Sequence, residues 1–279
     1  MTKRAIILSA GQGSRLLPLT ADDPKCLIEF SGKTLLDWQL DALIDNGIDD
    51  IIVVTGFREH KVVASVARRP DRGARIRTLF NPFFQVADNL GTVWMARDYM
   101  DRDFLLLNGD TLVSPSLVHQ LLARATAPIT VTVDEKPSYD EDDMKVRRAG
   151  DRLLAIGKTL TAAETNAESI GMLLFKGSGP RTFLDKVEAV MRTPEGTTNW
   201  YLKVIDRLAS ETEIGTVSIK GHRWGEVDFP ADLDVARAPT AGWAAGYVTA
   251  KAIPAAIIVA AVTKLFGGRG DKTRRAPGA

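Results

Sequence analysis

The sequence predicts an α/β protein with a mixed, mainly parallel sheet flanked by helices. Three observations carry that prediction. Short apolar runs suited to strands buried on both faces alternate with amphipathic stretches of helical period. The first such run opens directly into a glycine-containing loop and a later one into an acidic loop, placing polar loops at the carboxyl ends of strands, where such sheets bind ligands. After about Pro128 the runs shorten and close into hairpins, as in a smaller β-rich half inserted in the same domain.

In chain order, Ala5–Leu8 is a continuously apolar strand. "TLLDWQLDALIDNG" follows as a helix, with Leu35, Leu36, Leu40, Leu43 and Ile44 on one face and Gly47 ending it. "IDDIIVVTG" is a second buried strand and "EHKVVASVARR" a second helix. "ARIRTLFN" gives a third strand, "NLGTVWMARDYM" a helix, "DFLLLNGD" a fourth strand and "SPSLVHQLLARA" a helix. Beyond Pro128, strands are expected at "ITVTVDE", within "MKVRRAGDRLLAIGK" and at "SIGMLLFKG". Helices at "PRTFLDKVEAVMR" and "NWYLKVIDRLAS" then precede strands at "IGTVSIK" and "HRWGEVDF". With no internal repeat or low-complexity linker before Pro239, residues 1–238 read as one domain, in halves of about 1–127 and 128–238, followed by a tail, 239–279.

Composition narrows the classes of function. The chain has 279 residues, 45% hydrophobic and 25% charged, and a net charge of +1, so it lacks the basic excess that nucleic-acid partners demand. A lone cysteine, Cys26, cannot form an internal disulfide, and the N-terminus makes a poor signal peptide; both fit a cytoplasmic protein. His60, His119 and His222 are scattered and form no zinc-type cluster.

The loop after the first strand, "LSAGQGSRLLPLTADDPKCL", combines exposed main chain at Gly11 and Gly13 with Arg15 and Lys25. Main-chain N–H groups free of side chains can approach phosphate oxygens, and a guanidinium fork and an ammonium can neutralise them. The alternative is a tight turn with two solvated cations. The spacing is neither a P-loop, since GK[ST] is missing, nor GxGxxG, since Leu16 stands at the third glycine.

From Leu8 to Leu43 the chain resembles the nucleotidylyltransferases that join a nucleotide to a phosphorylated sugar or alcohol. Their pattern is an apolar strand, AGxGSRLxPLT, PKxL and GKxLL before a helix, matched here by "LSAGQGSRLLPLTADDPKCLIEFSGKTLLDWQLDAL". The resemblance implies a Rossmann-like, GT-A-like fold. It also implies a nucleotide bound along Leu8, Ala10, Gly11, Gly13 and Ser14, with Arg15 and Lys25 neutralising phosphates as pyrophosphate leaves.

Joining two phosphates sets anion against anion, which calls for a divalent cation. Asp110 follows a buried strand at the ligand edge, and Glu226 and Asp228 share a face if "WGEVDF" is extended. Asp232 suits a helix cap. By resemblance, Asp110 and Asp228 match the family's metal aspartates, Mg2+ being the expected ion, with Glu226 as a support or substrate contact. The "WGEVDFPADL" form is most similar to the branch that activates phosphocholine, aminoethylphosphonate or inositol phosphate with CTP. "EDDMKV" and "AIGK" resemble the same branch, implying Lys158 on the reacting phosphate and Lys145 as a second substrate contact. Lys136, in an "EKP" that precedes the hairpin instead of following it, is expected to be a turn residue.

"DNLGTVWMA" occupies the region that reads the base in the family, making Asn89 and Thr92 nucleotide contacts or helix caps; its Leu-Gly-Thr is closer to the sugar-activating relatives. Tyr139, Trp200, Tyr201 and Trp224 fall in the acceptor half, as core residues or as faces for a quaternary ammonium. The run Ala252–Thr263 is shorter than the roughly 20 apolar residues a bilayer span needs, and it precedes a basic end. Three readings stand for the tail: packing on the domain or on a second copy in a homodimer, peripheral contact with the inner face of a membrane, or partial disorder. The expected activity is Mg-dependent transfer of CMP from CTP to phosphocholine, a phosphoethanolamine-type compound or inositol phosphate. A hexose-1-phosphate nucleotidylyltransferase and a non-catalytic nucleotide-binding protein on the same scaffold are the alternatives.

Overall fold

The apolar runs pair side by side in one nine-stranded sheet. A computed structural model describes residues 2–252, with side chains through Ala245. In chain order the strands are β1 Arg4–Ser9, β2 Glu29–Phe30, β3 Lys33–Thr34, β4 Asp50–Thr55, β5 Arg75–Phe80, β6 Phe104–Asn108 and β7 Thr111–Leu112. They continue with β8 Ile129–Asp134, β9 Lys145–Ala149, β10 Arg152–Ile156, β11 Ala167–Phe175, β12 Gly215–Ser218 and β13 Gly225–Glu226. The helices are α1 Leu35–Ile44, α2 Glu59–Ala67, α3 Asn89–Met95, α4 Pro115–Arg124, α5 Gly179–Met191, α6 Tyr201–Ala209 and α7 Pro230–Ala252.

The sheet order is β5-β4-β1-β6-β11-β8-β12-β10-β9. Strands β5, β4, β1 and β6 are mutually parallel, whereas β11 runs against both β6 and β8. The β-rich second half therefore extends the first sheet. This is the Rossmann-like α/β architecture the sequence predicts.

Alternation along the strands builds a core on each face. Ile6, Leu8, Ile52, Val54 and Leu106 pack with residues of α3, α5 and α6, while Ala5, Ile7, Ile51, Val53, Leu105 and Leu107 pack with α1 and α4. Helix α1 starts at a capping box between Thr34 and Asp37, and α4 at Ser114, whose hydroxyl accepts from Leu117 N–H at 3.3 Å.

A third, smaller core joins Leu16, Phe30, Leu35, Trp38, Leu112, Val227 and Ala236. Helix α7 runs through Pro239, where the sequence places the start of the tail, and Trp243 meets Trp38 edge-on with ring centroids 5.8 Å apart. Among the described residues no helix is long and apolar enough to cross a membrane. The apolar run beyond Ala252 and the basic end lie outside the described residues.

Candidate active site

Strand β1 delivers the chain into the loop Ala10–Arg15, whose shape depends on Gly13. Its φ of 76° is left-handed, and a Cβ there would stand 2.9 Å from Lys25 Cβ. The Gly13 carbonyl accepts from Thr20 Oγ1 at 2.7 Å and from Leu16 N–H at 3.0 Å, folding the loop over Lys25. Around Gly11 an added Cβ would meet nothing within 4 Å.

Asp110 is set by a different device. Gly109 brings the end of β6 so close to β1 that a Cβ would sit 2.4 Å from the Leu8 carbonyl oxygen. The buried Gln39 amide of α1 donates to the carbonyls of Asn108 (2.7 Å) and Thr111 (2.8 Å), fixing the chain on both sides of Asp110. Strand β7 then pairs antiparallel with β13, Thr111 opposite Glu226, and Val227 N–H donates to the Asp110 carbonyl at 3.1 Å. Asp228 lies just past that strand. The Asp232 carboxylate reaches back to accept from the N–H groups of Asp228 (2.9 Å) and Phe229 (2.7 Å), so it caps α7 as expected and fixes Asp228 as well.

These devices converge. Asp110, Glu226 and Asp228 each place a carboxylate oxygen within 4.8 Å of the others. Lys25 Nζ, nearly enclosed, donates to Asp110 at 2.9 Å and Asp228 at 2.6 Å. Burial acts to lower the Lys25 pKa, but the two carboxylates more than reverse this and hold the ammonium well above the usual lysine range. Burial, then the charges of Asp110 and Asp228, push the Glu226 carboxyl up to about 8, although its side chain is open on one side to the cleft. Arg15 reaches Asp228 at 3.5 Å and lies over the Phe229 ring, 5.0 Å from its centroid. An all-oxygen donor set of this kind fits a hard divalent cation such as Mg2+, with coordination positions left for phosphate oxygens.

The carboxylates stand where two clefts meet. The first, of about 240 Å³, is lined by Leu8, Ala10, Gly11, Gly13, Lys25, Asn89 and Thr92. The second, of about 220 Å³, takes Arg15, Lys158, Glu226 and Asp228, and Asp110 borders both. In it Lys158 Nζ lies 3.3 Å from an Asp142 oxygen and 5.1 Å from the centroid of the Trp200 ring.

Two expected contacts line neither cleft. Ser14 is exposed and opens a short 3₁₀ turn. Lys145 is buried in the wall behind the second cleft, where its Nζ donates to the Lys158 carbonyl at 3.0 Å. Asn89 and Thr92 line the first cleft without capping α3; Asn89 Oδ1 accepts from Tyr201 N–H at 2.9 Å, and Thr92 Oγ1 from Asn81 at 3.2 Å.

Lys136 is no mere turn residue: its ammonium pairs with Asp143 at 2.8 Å and the buried Glu168 at 2.9 Å. The four aromatics of this half form no cage. Trp200 lines the second cleft, but Tyr201 is fully buried and donates to Asn108 at 2.9 Å, and Trp224 donates to Asp134 at 2.8 Å.

Sequence reasoning missed Gln39, Asn108, which lines both clefts, Asp88, which lines the first, and Gly171, which lines the second. Gln39 carried a readable signal, since it falls on the apolar face of α1 between Leu35, Leu36 and Leu43. Gly171, with φ 72°, has its Cβ position 2.4 Å from Asn108 Nδ2 and had no local signature inside an apolar run.

Known proteins bear on this geometry. A CTP:phosphoglutamine cytidylyltransferase from Campylobacter jejuni is 28% identical over 260 residues, covering 83% of this chain and 98% of that protein. The inositol-1-phosphate CTP transferase from T. maritima superposes with a TM-score of 0.71 at 21% identity, covering 83% of this chain and 91% of the other. A UDP-glucose pyrophosphorylase complexed with UDP-glucose also reaches 0.71, at 16% identity, covering 87% and 99%. Fold alone therefore does not separate alcohol from sugar acceptors. The nucleotidyl transferase family model matches residues 4–144, the stretch that builds the glycine loop, Lys25 and Asp110. With that match over half its length, and with cytidylyltransferases among its relatives, the chain belongs to the nucleotidyl transferase family.

Proposed function

We propose that this nucleotidyltransferase moves a cytidylyl group from CTP to a phosphorylated alcohol and releases pyrophosphate, with Mg2+ as its metal. The observation that carries the reading is the meeting of Asp110, Glu226 and Asp228 with Lys25 at the junction of two clefts. One cleft is lined by the glycine loop and the other by Lys158. In this reading an oxygen of the acceptor phosphate attacks the α-phosphorus. That P–O bond forms as the bond to the bridging oxygen of the β-phosphate breaks, and pyrophosphate leaves with its electron pair. The attacking oxygen is already ionised at neutral pH, so no side chain need act as base. The chain supplies position and charge instead. Lys25 and Arg15 neutralise the triphosphate, Lys158 aligns the acceptor phosphate, and the three carboxylates hold the cation. A bound divalent ion supplies further neutralisation of the phosphates.

CTP is favoured by the relative from Campylobacter jejuni, which the similarity covers almost from end to end. The hexose-phosphate alternative leans on "LGT", yet Gly91 has a structural reason of its own: a Cβ there would stand 2.8 Å from Ala87 Cβ. A matrix of nucleoside triphosphates against phosphorylated alcohols and sugars tests the proposal by pyrophosphate release. CTP with a phosphoalcohol should give the highest turnover. Exclusive use of UTP or dTTP with a hexose phosphate would overturn it. Asp110→Asn should lower kcat by about a thousandfold or more, on the scale of losing a central electrostatic group; retained turnover would remove Asp110 from the metal set.

A further inference from the structure

Lys145 poses a question that the reaction leaves open. Its side chain is buried at the start of β9, and among the described residues no carboxylate lies within ion-pair distance of its ammonium. Burying an ammonium without an anionic partner opposes folding, and an apolar side chain of similar length would fill the space without that penalty. Stability therefore gives no reason for a lysine here.

What the residue does hold is one short piece of main chain. Lys145 Nζ donates to the carbonyl oxygen of Lys158 at 3.0 Å, and the Lys145 carbonyl accepts from Gly157 N–H at 2.9 Å. Two consecutive residues, Gly157 and Lys158, are thus tied to a single residue of the neighbouring strand, one through its backbone and one through its side chain. The tie lies at the end of β10, which stops at Ile156, so no sheet ladder fixes Lys158 itself. Beyond the tie the Lys158 side chain enters the second cleft, over Trp200 and beside Asp142. Met144, next to Lys145 in the chain, lines that cleft, so the segment that carries Lys145 borders the acceptor side.

We infer that Lys145 is a positioning residue: its buried ammonium anchors the Lys158 main chain so that the Lys158 side chain meets the acceptor phosphate. This rests on the proposed role of Lys158. A flexible lysine at the end of a strand loses much of its value in neutralising developing charge unless its backbone is held in place.

The test is a double-mutant cycle of Lys145→Met and Lys158→Ala in the full chain, with CTP and the acceptor that the substrate matrix identifies. Lys145→Met should lower kcat/KM for the acceptor by about tenfold or more and leave the KM for the nucleotide unchanged. In the Lys158→Ala background the same substitution should cost almost nothing further. An undiminished loss in that background would overturn the inference, because it would mean that Lys145 acts through its charge or the fold at large. So would an equal loss for both substrates. Full activity of Lys158→Ala alone would instead overturn the role of Lys158. Melting curves check that each variant folds. If Lys145→Met does not fold, Lys145→Arg, which keeps a donor but moves it, goes through the same cycle. Its loss, too, should disappear in Lys158→Ala, and persistence would again overturn the inference.

Discussion

At the scale of single residues, the two glycines of the loop make opposite demands. Gly13 is required by the fold: its φ of 76° and the 2.9 Å approach to Lys25 Cβ leave no room for a side chain. Gly11 faces open cleft, so its lack of a side chain matters to whatever enters there. Gly13→Ala should therefore destabilise the chain by about 1–2 kcal/mol, the usual cost of left-handed backbone in an L-residue, seen as a lower urea midpoint. Gly11→Ala should leave stability within about 0.5 kcal/mol of the parent yet weaken nucleotide binding by about tenfold or more, measured by titration calorimetry. A loss of stability in Gly11→Ala with unchanged nucleotide affinity would contradict the assignment of the first cleft. Gln39 belongs at this scale too, as one amide that braces both neighbours of Asp110.

Between elements, the informative contact joins the segment before β9 to β11. Lys136 and Asp143 flank the acidic stretch that carries Asp142, and both meet Glu168 on β11. Burial, and then the hydrogen bond that its protonated carboxyl donates to Asp143, push Glu168 from the ordinary 4.5 to about 7, while Asp143 is drawn below the usual aspartate range against the effect of its own burial, chiefly by its hydrogen bond with Lys136. A carboxyl with a raised folded pKa keeps its proton in the native state after the unfolded chain has released it. Its contribution is thus fully present below about 4.5 and is lost as pH rises towards about 7. Asp143 works the other way, adding stability that is lost as pH falls below the ordinary 3.8, and Lys136 adds stability that is lost only above 10.5. Between 4.5 and 7 Glu168 shares the slope with Glu226, whose carboxyl is raised to about 8 by burial and the neighbouring aspartates. Glu168→Gln should therefore reduce, without abolishing, the pH dependence of the urea midpoint across that interval. An unchanged slope would show that Glu168 is ionised throughout.

At the scale of the whole molecule, α7 closes the site from behind. Asp232 caps it beside Asp228, Ala236 packs in the small core with Leu16, and Trp243 reaches Trp38. Trp243→Ala should cost about 2 kcal/mol, less than at a fully buried site because Trp243 is only half-buried, and should also reduce turnover because Leu16, the chain neighbour of Arg15, packs in the same core. Deleting residues 253–279 should leave turnover in place. Of the three readings of the tail, membrane contact alone requires the full chain to float with anionic liposomes and the deletion to abolish that flotation; flotation of the shortened chain would assign the contact elsewhere.

The sequence by itself determined a great deal here. Apolar period and strand–helix alternation predicted the α/β sheet, because burial on both faces of a parallel sheet leaves its mark on every strand. The loop from Gly11 to Lys25 was legible through its resemblance to the family pattern, which a short segment can carry, whereas its glycines and cations alone also suit a tight turn. Asp232 as a cap was legible for the same reason. Tertiary structure decided the rest. Asp110 and Glu226 are far apart in the chain and meet only because β7 pairs with β13. Lys145 and Lys136 are ordinary lysines in the sequence; burial and partners three-dimensionally assigned made one a main-chain anchor and the other a clamp on carboxylates. Local chemistry fixes which side chains can grip phosphate or metal. Which of them face the same few ångströms depends on long-range strand pairing, and no short window of sequence contains that.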